Sequence, residues 1–287
     1  MKIAIIGRGE LGQALGKILA REGREFVYWD KNEEGSLPET VTGAEFVLLC
    51  VPSWCVKEAL AFLKPYCSRH SIIVLFSKGI DVATGKLPYE IAKKLLPTNV
   101  EFAVVSGAMI AEEIGVGKFG ACLVSSKSLL VSEKVAEIFL GTNVVASVAK
   151  DLKGVAWSGV LKNIYAVGLG ITEGLGWTIN ERSLLLAQSL EEILRLIKIL
   201  AGKKETFLTP PILADFVATS FDQNSSNHQA GFELGRTGET DKKSEGLMSL
   251  SALLVRLGTK AENFPVLQNL AKIVISGENP KRVFGRY

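Results

Sequence analysis

The sequence predicts an α/β fold: a doubly wound, mostly parallel sheet in residues 1–150, followed by an all-helical domain in residues 151–287. Three observations carry that expectation. The first thirty residues, MKIAIIGRGELGQALGKILAREGREFVYWD, read as strand, glycine turn, helix and second strand. Apolar runs of strand length then alternate with helix-length patterns as far as Lys150. From Asp151 onward the strand-like runs stop and helical periodicity takes over.

Taken in order, the run from Lys2 to Ile6 is a buried strand, and a helix opens near Glu10. FVYW is the second strand, and a short polar connection containing Gly35 and Pro38 leads to FVLLCVP, Phe46 to Pro52. WCVKEALAFLKPYC reads as a crossover helix, and SIIVLF, Ser71 to Phe76, as the next strand, ending in Ser77, Lys78 and Gly79. KLPYEIAKKLL is a helix and EFAVVSG a fifth strand; GACLVSS, the helix SEKVAEIFL and the strand NVVASV close the alternating region. Helical patterns then run from LKGVAWSGVLKNIYAVGLGI through ERSLLLAQSLEEILRLIKILAG to LMSLSALLVRLGT and VLQNLAKIVI. Asn180 is the expected N-cap of the longest and Gly202 its expected stop. A cleft between the two domains is where a substrate should sit.

The opening unit is a G-x-G-x-x-G turn in a Rossmann-type setting, a dinucleotide signature. Gly7 turns the chain off the strand, Gly9 lets backbone approach a pyrophosphate, and Gly12 lets the helix pack on the sheet. Phosphate charge would face the helix start, so Gly7, Gly9, Glu10, Leu11 and Gly12 are candidate cofactor residues. Asp30 ends the second strand about twenty residues on, where a carboxylate accepts both ribose hydroxyls; it favours NAD, with NADP also admitted because Lys31 is adjacent. Val51, Pro52 and Ser53, at the carboxyl end of a strand, should border the same ligand.

Composition narrows the class. The chain has 287 residues, 47% hydrophobic and 22% charged, with a formal net charge of +3, which suits a globular protein with a sizeable core. Lys and Arg are scattered and no basic run is interleaved with aromatics, so a nucleic-acid partner is not expected. Mean hydropathy is positive, yet every long apolar stretch is broken by a charge or amide before about 18 residues, which argues against a spanning helix. The N-terminus enters a strand directly, without the pattern of an export signal. Cys50, Cys55, Cys67 and Cys122 lack metal-ligand spacing; a reducing cytoplasm without disulfides, and no bound metal, are expected.

Hydride transfer makes or consumes a hydroxyl proton, so an acid or base must stand beside the reacting carbon. His70 falls in a polar turn and His228 in what reads as a polar loop, positions that favour the surface. Lys162 lies among Val160, Leu161 and Ile164, where desolvation would lower its pKa toward a working value. A lysine snorkelling from the helix end is an equally good reading of the same residues.

Several segments, in order, resemble the NAD(P)-dependent glycerol-3-phosphate dehydrogenase family. They are SKGI with ATGKL at Ser77 onward, SGAMIAEEI from Ser106, LKNIYAVGLGITEGLGWTIN, ADFVATSFDQNSSNHQAGFELGRTG, and SEG at Ser244 to Gly246. The resemblance implies Lys162 as general acid/base and Lys78 as a second cation near the reacting carbonyl, with Asn163 and Asp215 completing the catalytic group. It places Gly107, Met109, Ser225, Ser226 and Asn227, with Lys78, Lys162 and Asp215, around the substrate, and Lys78, Ala111 and Glu245 against the cofactor. It implies interconversion of dihydroxyacetone phosphate and sn-glycerol 3-phosphate in the cytoplasm, in glycerophospholipid metabolism, and admits a homodimer. The departures are specific: Ser226 stands where the family has arginine, Ala108 and Met109 replace its proline and hydroxyl residue, and G-L-G-D is ILAD. Losing one arginine contact to a dianion costs on the order of 2 to 4 kcal/mol. Two alternatives follow: a related dehydrogenase of a non-phosphorylated hydroxyacid or ketone, and a non-catalytic NAD-binding sensor.

Overall fold

Ile3–Ile6 (β1) is an unbroken apolar run, and both faces of it are buried, as expected for the centre of a parallel sheet. The protein is described by a computed structural model covering residues 2–285; Met1, Arg286 and Tyr287 lie outside the described residues. After β1 come Glu10–Arg21 (α1), Phe26–Trp29 (β2), Leu37–Val41 (α2), Phe46–Leu49 (β3), Val56–Leu63 (α3), Ile72–Leu75 (β4) and Pro88–Leu95 (α4). Glu101–Ser106 (β5), Ala111–Gly115 (α5), Gly120–Ser126 (β6), Leu129–Ala136 (α6) and Val144–Ala149 (β7) complete the sheet region. Among the described residues the strands form one sheet in the order β2-β1-β3-β4-β5-β6-β7. Pairing is parallel from β2 through to β5, β6 runs antiparallel to β5, and β7 runs parallel to β6. The reversal has a local cause: the β5 to β6 link contains only the five-residue α5, too little for a crossover helix that would return the chain parallel.

Strand alternation divides the sheet between two apolar layers. Ile3, Ile5, Phe46, Leu48, Ile72 and Val74 pack with Leu15, Ile18 and Leu19 of α1 and Val135 of α6. Ala4, Ile6, Val47, Leu49, Ile73 and Leu75 face the other way, into a cluster that continues without interruption to the C-terminal helices, as far as Leu270 and Phe284.

Those helices are Leu152–Gly174 (α7), Ile179–Ile199 (α8), Lys204–Phe207 (α9), Pro210–Phe221 (α10), Ser226–Thr237 (α11), Glu245–Leu257 (α12), Pro265–Val274 (α13) and Pro280–Phe284 (α14). α7 is apolar all round and almost wholly buried, which makes it the axis of this half. It meets α11 backbone to backbone through reciprocal glycines. A Cβ at Gly170 would lie 2.1 Å from the His228 carbonyl oxygen, and one at Gly231 would lie 2.0 Å from that of Val167. Glu192 of α8 ties the bundle together by accepting from the Tyr165 hydroxyl at 2.7 Å and from the Val266 and Leu267 N–H groups at 2.8 and 3.1 Å. The last two are unbonded donors of the first turn of α13, where negative charge is favoured. Among the described residues no helix is long and apolar enough to cross a membrane.

Four local expectations are corrected. The polar connection after Asp30 contains α2, started by Ser36, whose hydroxyl accepts from Glu39 N–H, with Pro38 in its first turn. Thr178, not Asn180, caps α8: it forms a capping box with Glu181, the T-x-x-E pattern in TINE. Gly202 is not the left-handed stop. Ala201 takes that conformation at φ 62°, while Gly202 packs against Gly154, where a Cβ would come within 2.7 Å of its Cα. His228 is not in a loop: it sits in the first turn of α11, 2% exposed.

Candidate active site

The site grows from the carboxyl ends of the parallel strands, the edge where a doubly wound sheet receives ligands. Gly7 leaves β1 with φ +95°, and α1 begins so close to it that a Cβ on Gly12 would lie 2.0 Å from the Gly7 carbonyl oxygen. Only glycine fits both positions. At Gly9, by contrast, a Cβ would meet nothing within 4 Å, so the turn opens onto free space. That space is a cavity of about 240 Å³ bordered by Gly7, Gly9, Trp29, Asp30, Val51 and Pro52. Asp30 is fixed there by the Arg8 N–H at 2.9 Å and the Asn32 N–H at 3.0 Å; these hydrogen bonds hold its carboxyl below the usual carboxylate range. An open turn, unbonded N–H groups at the start of α1 and a fixed carboxylate suit the diphosphate and ribose of a dinucleotide.

A larger cleft of about 780 Å³ shares Gly9, Cys50, Val51 and Pro52 with that cavity and continues past Glu10 and Leu11 to Lys78, Met109, Ala111, Lys162, Asn163 and Asp215. The glycine turn and the buried lysine therefore open into one space. Lys162 projects from α7 and is 6% exposed. Its Nζ donates to Asp215 Oδ1 at 2.9 Å and to the Thr219 hydroxyl at 2.7 Å, both on α10. Lys78, on the loop after β4, donates to the other Asp215 oxygen at 2.8 Å and to the Gly107 carbonyl at 3.1 Å. One carboxylate thus bridges two ammonium groups, and each ammonium, with three protons, keeps one uncommitted.

The electrostatics follow from burial. Desolvation lowers the Lys162 pKa to about 8, with the nearby positive charge of Lys78 acting in the same direction and Asp215 opposing both. Burial alone would raise Asp215, but the attraction of Lys162 and Lys78 outweighs it and keeps the carboxyl ionised below its ordinary range. The snorkelling alternative for Lys162 is thereby set aside: the amine is held inside the bundle.

A relay of amides fixes the neighbouring elements. Asn163 Nδ2 donates to the Lys78 carbonyl at 3.0 Å, Asn227 Nδ2 donates to Asn163 Oδ1 at 3.1 Å, and Gly246 N–H donates to Asn227 Oδ1 at 2.8 Å. The loop after β4, α7, α11 and α12 are locked in register by these three bonds. Glu245 crosses the cleft to accept from Ser53 N–H at 2.8 Å and Ser53 hydroxyl at 2.5 Å; burial raises its pKa against the effect of those bonds.

Most of the residues expected at the site meet here. Ser225, Ser226 and Asn227 border the cleft at the start of α11. Gly107 and Gly12 do not border it: Gly107 contributes its carbonyl to Lys78, and Gly12 lies under the turn against Gly7. The sequence reading missed Thr219 and Ser106; the buried Ser106 hydroxyl has no partner among the described residues, and a Cβ on Gly159 would meet both it and the stem of Lys78 at 3.1 Å, while Ser53, expected only beside the cofactor, is held by Glu245. Thr219 stands four residues after Asp215 on α10, a helical spacing that would have found it once Asp215 was placed. His228, Arg236, Lys242 and Lys243, the basic residues nearest in sequence to Ser226, are absent from the cleft lining, and so is every arginine among the described residues. His228 lies against the Ser220 carbonyl and Glu173, at 2.8 and 2.9 Å, and Lys242 pairs with Glu233 at 3.5 Å.

Comparison with known proteins gives the family of the chain. Residues 33–131 match the family model of the NAD-dependent glycerol-3-phosphate dehydrogenase N-terminus, and residues 151–285 that of its C-terminus. The chain is 29% identical to glycerol-3-phosphate dehydrogenase [NAD(P)+] of Thermoanaerobacter sp., over 98% of this chain and 94% of that protein. It is 26% identical to the enzyme of the same name from Bartonella quintana, over 97% of this chain and 92% of that one. The crystal structure of glycerol-3-phosphate dehydrogenase from Coxiella burnetii superposes with a TM-score of 0.90 at 26% identity, covering 98% of this chain and 97% of that chain. With both family models matched in order over most of its length, this chain belongs to the NAD-dependent glycerol-3-phosphate dehydrogenase family.

Proposed function

We propose that the protein is a cytoplasmic NAD(P)-dependent dehydrogenase that interconverts dihydroxyacetone phosphate and sn-glycerol 3-phosphate, with Lys162 as the proton-transferring group. The observation that carries the reading is the Lys78–Asp215–Lys162 arrangement in a cleft continuous with the glycine turn. The nicotinamide cofactor supplies or accepts the hydride. Lys162, as ammonium, gives its uncommitted proton to the oxygen of a ketone being reduced, and as free amine takes the proton from an alcohol being oxidised. Lys78 stabilises the negative charge on the same oxygen. Asp215 keeps both cations oriented, and Thr219 fixes the rotamer of Lys162. Asp30 selects NAD over NADP by accepting ribose hydroxyls and repelling a 2′-phosphate. The natural division of the molecule, on this reading, falls near residue 150, after β7 and before α7, and the cleft lies along it.

With Ser226 where the family has arginine and no arginine among the described residues of the cleft lining, a substrate phosphate would meet the start of α11. The N–H groups of Ser226, Asn227 and His228 precede the first bond of that helix, from Gln229 N–H to the Ser225 carbonyl at 2.8 Å, and the Ser226 hydroxyl stands beside them. The cleft lining, with no arginine among the described residues, also favours a second reading, a less charged hydroxyacid or ketone substrate. NADH oxidation with dihydroxyacetone phosphate, set beside dihydroxyacetone and a panel of 2-keto and 3-keto acids, separates the two. Turnover confined to the phosphorylated ketone supports the first reading, and turnover only with unphosphorylated compounds overturns it. The sensor alternative requires NADH binding with no turnover on any of them.

A further inference from the structure

Next to Asp30, outside the lining of the glycine-turn cavity, stands an ion pair that the reading of Asp30 leaves unused. Arg8, the variable residue between Gly7 and Gly9, points its N–H at Asp30 Oδ2, 2.9 Å away, and its guanidinium at Glu33, with Nη1 2.7 Å from Oε2. The guanidinium carbon lies 5.0 Å from the centre of the Tyr28 ring. The other Asp30 oxygen accepts from the N–H and side-chain amide of Asn32, both at 3.0 Å. Two neighbouring turns, one after β1 and one after β2, therefore place a carboxylate at the cavity and a cation beside it, and Glu33 pairs with that cation.

We propose that Glu33 is a specificity-determining residue: by holding the Arg8 guanidinium over Tyr28 it withholds from the ribose end the cation that a 2′-phosphate would need. The proposal rests on the reading of that cavity as the adenosine site. It separates two contributions to cofactor choice. Asp30 acts by repulsion and hydroxyl binding, whereas Glu33 acts by occupying Arg8. A phosphate at the ribose 2′ position can compete for a guanidinium bidentately, and a half-exposed carboxylate is a weak competitor: the side chains of Arg8 and Glu33 are 46% and 47% exposed. Lys31 borders the same cavity and is the rival cation that the test must separate.

The probes are adenosine 5′-monophosphate and adenosine 2′,5′-bisphosphate, which differ by the 2′-phosphate alone. Binding is read by calorimetry or by quenching of tryptophan fluorescence, since Trp29 borders the cavity. Glu33→Gln is an exposed substitution that removes the competing charge and keeps the shape. Its expected effect is a roughly two- to fivefold tighter 2′,5′-bisphosphate at low salt, with the monophosphate unchanged. The gain should vanish in the Arg8→Gln, Glu33→Gln double variant and shrink as salt is raised. Equal affinity of Glu33→Gln and the parent for the 2′,5′-bisphosphate overturns the proposal. Persistence of the gain in the double variant also overturns it, by assigning the effect to Lys31. Failure of the parent to bind the monophosphate removes the adenosine reading itself and Glu33's role with it, a result distinct from the other two.

Discussion

The two ends of the cleft are built on opposite plans. At the proposed nucleotide end the parts are nearly contiguous: strand, glycine turn, helix start and Asp30 all fall within the first thirty residues, and small side chains leave backbone exposed. At the proposed reaction end the parts come from the loop after β4, from α7 and from α10, with Lys78 137 residues from Asp215 and Lys162 53 residues from it, and long charged side chains are drawn inward. The difference shows what each end needs. A diphosphate is held by free N–H groups that a local turn provides. A proton-transfer group needs a perturbed pKa, which requires burial, and a buried ammonium is stable only beside a counter-charge supplied from elsewhere in the chain.

Substitutions at the reaction end should therefore be the more damaging. Lys162→Ala is expected to lower kcat by about 10²- to 10⁴-fold, the usual contribution of a positioned acid/base, while NADH affinity measured by fluorescence stays within about twofold. Asp215→Asn leaves two ammonium groups sharing a neutral amide. The loss of a buried counter-charge should cost about 3 to 5 kcal/mol in urea unfolding, and the Lys162 pKa should fall further because the opposing attraction is gone. Gly231→Ala tests whether the α7–α11 contact sets the geometry: its Cβ would press on the Val167 carbonyl, costing about 1 to 3 kcal/mol, with a loss of activity if Asn227 is displaced from Asn163. At the nucleotide end, Asp30→Ala should weaken NADH by about 1.5 to 3 kcal/mol without changing the pH dependence of kcat, since it does not touch the reacting groups. An equal or larger loss of kcat from Asp30→Ala than from Lys162→Ala would break the comparison.

Legibility in the sequence followed the same division. The sheet and the turn could be read directly because their signals are local: apolar runs bounded by Gly and Pro, and glycines at fixed offsets. The reaction end could not. Lys162 in an apolar helix was ambiguous between a working amine and a snorkelling one until resemblance to a family singled it out, and Thr219 carried no signal before α10 was placed beside α7. Where local reading failed, packing or capping explained it. The polar look of SSNHQAGFELGRTG concealed a helix whose Ala230, Gly231, Leu234 and Gly235 are its buried face against α7. Gly202 looked like a terminator and is instead a contact residue, and the capping box at Thr178 and Glu181 outcompeted Asn180.

The most direct test of the coupled-lysine site is the pH dependence of kcat/KM for dihydroxyacetone phosphate reduction, in the parent and in Lys162→Ala. With the ammonium form as the proposed donor, the rate should be level below pH about 8 and fall above it as Lys162 loses its proton; alcohol oxidation should show the opposite slope, rising toward the same value. The account predicts that this break disappears with the lysine. A Lys162→Ala enzyme that retained the parent's rate and the same break would contradict it.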